Sequence, residues 1–90
     1  MKDTNKHITK KEECFIKTTD DFYPNFPGNL VQLSYRMTKQ YGCWVAVWGN
    51  DDTGYEKVVD KSDVRDLYRK IKNKGIITVK ELIDLGFKGA

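Results

Sequence analysis

Between residues 31 and 38 the side chains alternate. Val31, Leu33, Tyr35 and Met37 are apolar, while Gln32, Ser34, Arg36 and Thr38 are polar. A period of two predicts a strand with one buried side. A helix is the rival reading, with Asn29 as cap, Gln32 at the capping-box position and Gly42 as stop. The apolar set fits a period of 2 better than 3.6. "CWVAVWG", residues 43–49, follows a "KQYG" turn and is apolar on both sides. Cys43, Val45 and Val47 share one side, and Trp44, Ala46 and Trp48 the other. Such a strand belongs in the middle of a sheet. "NDDTG" is rich in turn formers, and "YEKVVD" returns as the next strand. Residues 31–59 therefore predict a three-stranded antiparallel meander centred on 43–49.

The last third changes period. Val64, Leu67, Tyr68 and Ile71 recur at helical spacing behind a candidate cap, Ser62. Gly75 fits the left-handed position that ends a helix, with Ile76 packing back on Ile71. A second helix starts at a Thr78/Glu81 capping box inside an Ile77/Leu82 hydrophobic staple. Gly86 ends it, with Phe87 folding back on Leu82.

Upstream the pattern is weaker. Residues 1–11 are polar and aperiodic and read as a mobile tail, leaving 12–90 as one domain. "ECFIKTT" suggests a short additional strand. "DDFYPNFPGN" reads as an irregular loop, and its Phe22, Tyr23 and Phe26 are too apolar to stand in water. The expected fold is α+β: a three- or four-stranded antiparallel β-meander with two C-terminal helices packed on one face.

Size limits what such a domain does. With 90 residues the chain buries roughly 60–65% of its unfolded surface, enough for one core and too little for a deep cavity. A binding module is thus favoured over an enzyme. No run reaches the ~20 apolar residues of a membrane span, and the N-terminus lacks the apolar stretch of a secretory signal. Cytoplasmic residence is expected.

Charge is unevenly distributed. Residues 61–90 carry eight basic and four acidic side chains, which exceeds the +3 of the whole chain. Arg65, Arg69 and Lys72 share one helix face, flanked by Lys70 and Lys74. That face would grip phosphates, or simply complement the helix dipole and keep the surface solvated.

The remaining chemistry is sparse. Cys14 and Cys43 form no CxxC pair, and His7 is the one histidine, so no zinc site is expected. Reduced, mostly buried thiols are expected instead. Asp51 and Asp52 lack the spacing of a cation loop and read as turn residues. No Gly-rich phosphate loop occurs. The expectation is no catalytic residue, no metal and no cofactor.

Two stretches carry resemblances. "VRDLYRKIKNKGIITVKELIDLGF" resembles the first two helices of a helix-turn-helix domain. No recognition helix follows before Ala90, so no DNA-binding residues are carried over. "WVAVWGNDDTGYEK", with a following helix and "LGF", resembles small uncharacterised bacteriophage proteins over roughly residues 42–87. That resemblance implies a phage origin and a role in binding and modulating a host protein.

The tryptophans then decide between core and surface. If helices cover the Val45/Val47 side, Trp44 and Trp48 lie on the other, where tryptophan serves as a binding anchor. The opposing reading hides them under the 22–26 loop or under the helices. The expected protein-binding set is Tyr35, Trp44, Trp48 and Tyr55 with Asp51 and Asp52 at the rim. The alternative is a nucleic-acid module with Arg65, Arg69, Lys70, Lys72 and Lys74 on phosphates and the tryptophans on bases. Either a monomer or a homodimer is compatible with an exposed edge or an open tryptophan face.

Overall fold

The computed structural model describes residues 8–20, 28–49 and 53–89. His7 and the first part of the expected tail, the Phe22/Tyr23/Phe26 loop, and Asp51 and Asp52 lie outside the described residues.

Five antiparallel strands form one sheet in the order β1-β2-β3-β4-β5. They are β1 (Ile8–Lys17), β2 (Leu30–Thr38), β3 (Cys43–Trp48), β4 (Gly54–Val59) and β5 (Lys88–Gly89). Helices α1 (Val64–Lys74) and α2 (Val79–Asp84) intervene between β4 and β5. This is the α+β meander with two C-terminal helices, with β1 longer than expected and β5 added. Residues 8–11, read from sequence as tail, belong to β1. The alternation over 31–38 is a strand, as its period indicates.

Register places the core on one side. Leu33 pairs with Val47, Tyr35 with Val45 and Met37 with Cys43. On β1, Cys14 and Ile16 lie opposite Leu33 and Val31. Val64, Tyr68 and Ile71 of α1 join these side chains, as do Ile77, Leu82 and Phe87 around α2. The helices therefore cover the Val45/Val47 face. Tyr35 and Tyr68 meet edge to face, with centroids 4.9 Å apart, a favoured aromatic geometry.

Local signals account for the helix ends. α2 has the full capping box: Thr78 accepts from the Glu81 amide, and the Glu81 carboxylate accepts from the Thr78 amide. Asp20 adds a carboxylate that accepts from the Val79 amide. At the other end Gly86 takes φ 94°. Phe87 N–H donates to the Leu82 carbonyl (2.9 Å) and Gly86 N–H to that of Ile83 (3.0 Å). This pair of bonds is a Schellman ending, with Phe87 and Leu82 both buried.

α1 departs from expectation in its cap and at Ile76, while Gly75 takes the expected left-handed position. Its cap is Asp63 rather than Ser62, with no side-chain capping bond. At its close Gly75 adopts φ 73° and donates to the Ile71 carbonyl, the simpler left-handed ending. Ile76 does not complete a Schellman turn. Its peptide groups turn to β1 instead: Lys17 N–H donates to the Gly75 carbonyl and Ile77 N–H to that of Lys17, both at 3.0 Å. The linker thus adds one parallel bridge to the outer edge of β1. Ile77, the next residue, is the one buried.

Candidate functional site

The sheet face away from the helices is built in three rows. Lys11, Arg36, Trp44 and Val58 form the first. Glu13, Ser34, Ala46, Glu56 and Lys88 form the second. Phe15, Gln32, Trp48 and Gly54 form the third. Large side chains in the outer rows flank a middle row that is small at its centre. Ser34 and Ala46 are each only 2% exposed, and Arg36 Nη1 reaches over to Ser34 Oγ at 3.4 Å.

Trp44 and Trp48 are half-buried. Phe15 is 53% exposed and Val58 71%, so the face presents apolar area to solvent. It also carries charge. By strand alternation Lys11, Lys17, Arg36 and Lys88 face this side against Glu13 and Glu56, four cations less two anions.

Gly54 sets the pose of Trp48. The two are cross-strand partners. A Cβ on Gly54 would stand 2.2 Å from one indole ring carbon and 2.5 Å from two others. The indole therefore lies flat across the bare backbone of β4, a cross-strand aromatic cover of a glycine. In sequence this glycine reads as part of the NDDTG turn. Only the pairing of Trp48 with residue 54 reveals its second role.

Two residues of the expected protein-binding set sit elsewhere. Tyr35 is 1% exposed and packed on Tyr68 beneath α1. Tyr55 pairs with Val47 and packs partly buried against the core. Both point to the helix side, because each is opposite an odd-numbered residue of β3, whereas the tryptophans are even-numbered. Asp51 and Asp52 lie outside the described residues. Of the described residues of that set, Trp44 and Trp48 are the ones on the face away from the helices.

The cations of α1 are on the other layer. Arg65, Arg69 and Lys70 are exposed there. Lys72 pairs with Glu12 at 3.3 Å and lies 5.8 Å from the Tyr68 ring centroid, while Lys74 pairs with Glu81. The fold does not bring the basic helix and the tryptophans onto one surface.

A small polar spot lies beneath Lys72. The Tyr35 and Tyr68 hydroxyls are buried without a hydrogen-bond partner among the described residues. Cys14 and Glu12 neighbour the Tyr68 hydroxyl without bonding geometry. Burial first, then Cys14 and Glu12, push that phenol far above the ordinary tyrosine range, so it stays protonated. Cys14 is a half-buried free thiol and Cys43 a buried one. Among the described residues no three metal-ligating side chains cluster, and no helix is long and apolar enough to cross a membrane.

No family model, curated protein or solved structure matches the chain.

Proposed function

We propose that the protein is a non-enzymatic interaction module whose open sheet face docks a protein partner. The supporting observation is the pair of half-buried tryptophans on the face the helices leave uncovered. Large aromatic side chains on a rigid strand lose little entropy on contact and serve as binding anchors. Gly54 holds one of them in place before any partner arrives. The resemblance of residues 42–87 to small bacteriophage proteins favours a host protein as that partner and the cytoplasm as the place of meeting.

Nucleic-acid binding is the weaker reading. It asks for phosphate-binding cations beside the stacking rings. Of the cations the sequence offers for it, Arg65, Arg69 and Lys70 stand on the opposite layer and Lys72 and Lys74 are engaged by Glu12 and Glu81. Those on the tryptophan face, Lys11, Lys17, Arg36 and Lys88, are interspersed with Glu13 and Glu56.

Partner capture with face-specific variants tests the reading. Trp44→Ser with Trp48→Ser should abolish capture of a host protein while the fold persists by circular dichroism. Arg65→Glu with Arg69→Glu should leave capture intact. The reverse pattern would move the site to α1. Tight, steeply salt-dependent binding of single-stranded oligonucleotides by the native chain would replace a protein partner with a nucleic acid.

A further inference from the structure

The outer edge of β1 borders the tryptophan face and offers backbone groups as well as side chains. Lys17 turns both its peptide groups outward, to the Gly75 carbonyl and the Ile77 amide. Along a regular strand every second residue does the same, so Glu13 and Lys11 also present N–H and C=O to this edge. Among the described residues those groups have no partner beyond the strand. A strand edge in this state is a template for another strand.

The charges along it are ordered: Lys10 and Lys11, then Glu12 and Glu13. All four are exposed. We propose that this edge pairs with the same edge of a second copy of the chain, antiparallel, with Lys11 of each copy opposite Glu13 of the other.

Three features select that register. Antiparallel pairing of identical edges sets outward-turned residues opposite one another, which limits the choice to shifts of two. A shift of two in either direction places Lys11 against Lys11 or Glu13 against Glu13, like charges directly opposite with no offsetting ion pair among the described residues, whereas the Glu12 pair of the chosen register is offset by Lys72. Ile76 already occupies the edge at Lys17, and an irregularity interrupts the strand between Ile8 and Lys10. Residue 12, the symmetry point of the proposed pairing, lies between these two limits.

In that arrangement Glu12 faces its own copy on the helix side, and each is already held by Lys72 at 3.3 Å. The two-fold axis runs perpendicular to the sheet. Both tryptophan faces therefore lie on one side of a continuous ten-stranded sheet, five strands from each copy.

The test is sedimentation velocity at low salt over a concentration series of the full chain. The native protein should show a concentration-dependent dimer. Lys11→Glu alone, or Glu13→Lys alone, turns two attractive pairs repulsive and should weaken the dimer by about tenfold or more, with the melting temperature showing that each variant folds. Mixing the two variants should restore association, because their altered edges complement each other. A native chain that stays monomeric throughout would overturn the proposal. So would single variants that dimerise like the native chain, or a mixture that fails to associate. A dimer lost in Trp44→Ser with Trp48→Ser but kept in Lys11→Glu would place the contact on the open face instead.

Discussion

Strand β3 carries both sides of the molecule in six residues. Val45 and Val47 are wholly buried under the helices, whereas Trp44 and Trp48, their sequence neighbours, are only half-buried. The two sides differ in what surrounds them rather than in how apolar they are. On the helix side, aliphatic and aromatic groups from β1, β2, β3 and both helices close over one another. On the open side the tryptophans are flanked by Arg36, Gln32, Val58 and a bare glycine. Hydrophobicity alone therefore does not assign a residue to the core. Among the described residues, what assigns it is whether a second layer meets it.

The most severe way to probe this difference is to remove volume from the covered side. Leu33 is 0% exposed at the centre of β2. Leu33→Ala should cost about 2–5 kcal/mol, the range for a leucine truncated in a close-packed core. Urea denaturation monitored by circular dichroism checks it. A loss below ~1 kcal/mol would mean that the helix layer is loosely packed, and the contrast between the two faces would fail.

The open side is expected to be sensitive at one place. Gly54→Val would drive a branched side chain into the Trp48 indole, where a Cβ alone comes within 2.2 Å of ring atoms. The indole must leave its place over β4. Overpacking of this kind costs about 1–3 kcal/mol, and the freed tryptophan should shift its fluorescence to the red. Val itself favours strands, so an unchanged or raised stability would show that Trp48 does not rest on Gly54.

The same contrast explains which parts of the fold were legible in the sequence. Alternation in 31–38 and the capping signals at Thr78, Gly75 and Gly86 were readable because each depends on nearby residues. The side on which Tyr35 lies depends on its pairing with Val45, and a strand's parity relative to another strand is not written locally. Periodicity alone therefore groups Tyr35 and Tyr55 with tryptophans that lie on the other face. The start of β1 is hidden in the sequence because its helix-facing Glu12 is charged, and its partner Lys72 is sixty residues away. β5 has two residues and exists through its pairing with Tyr55 and Glu56. For the candidate site, the tryptophans were visible as residue types. Their shared row structure with Phe15, Arg36 and Val58 required the register of four strands.

The finest test of the two faces uses adjacent residues. Val58 and Val59 end β4, yet Val58 is 71% exposed beside Trp44 while Val59 packs partly buried against the core. Val58→Ser should change stability by no more than about 0.5 kcal/mol, as surface substitutions do. Val59→Ser should cost more, because it withdraws a hydrocarbon from the helix side and brings in a hydroxyl. Thermal melts of the two variants compare them directly. Equal losses would mean that the open face is packed as tightly as the covered one, and that Trp44 contributes to folding rather than to a contact. Val58→Ser should still weaken capture of a protein partner, since it removes apolar area next to Trp44 without disturbing the sheet. A variant that melts like the native chain yet binds less would separate the function of this face from its part in the fold.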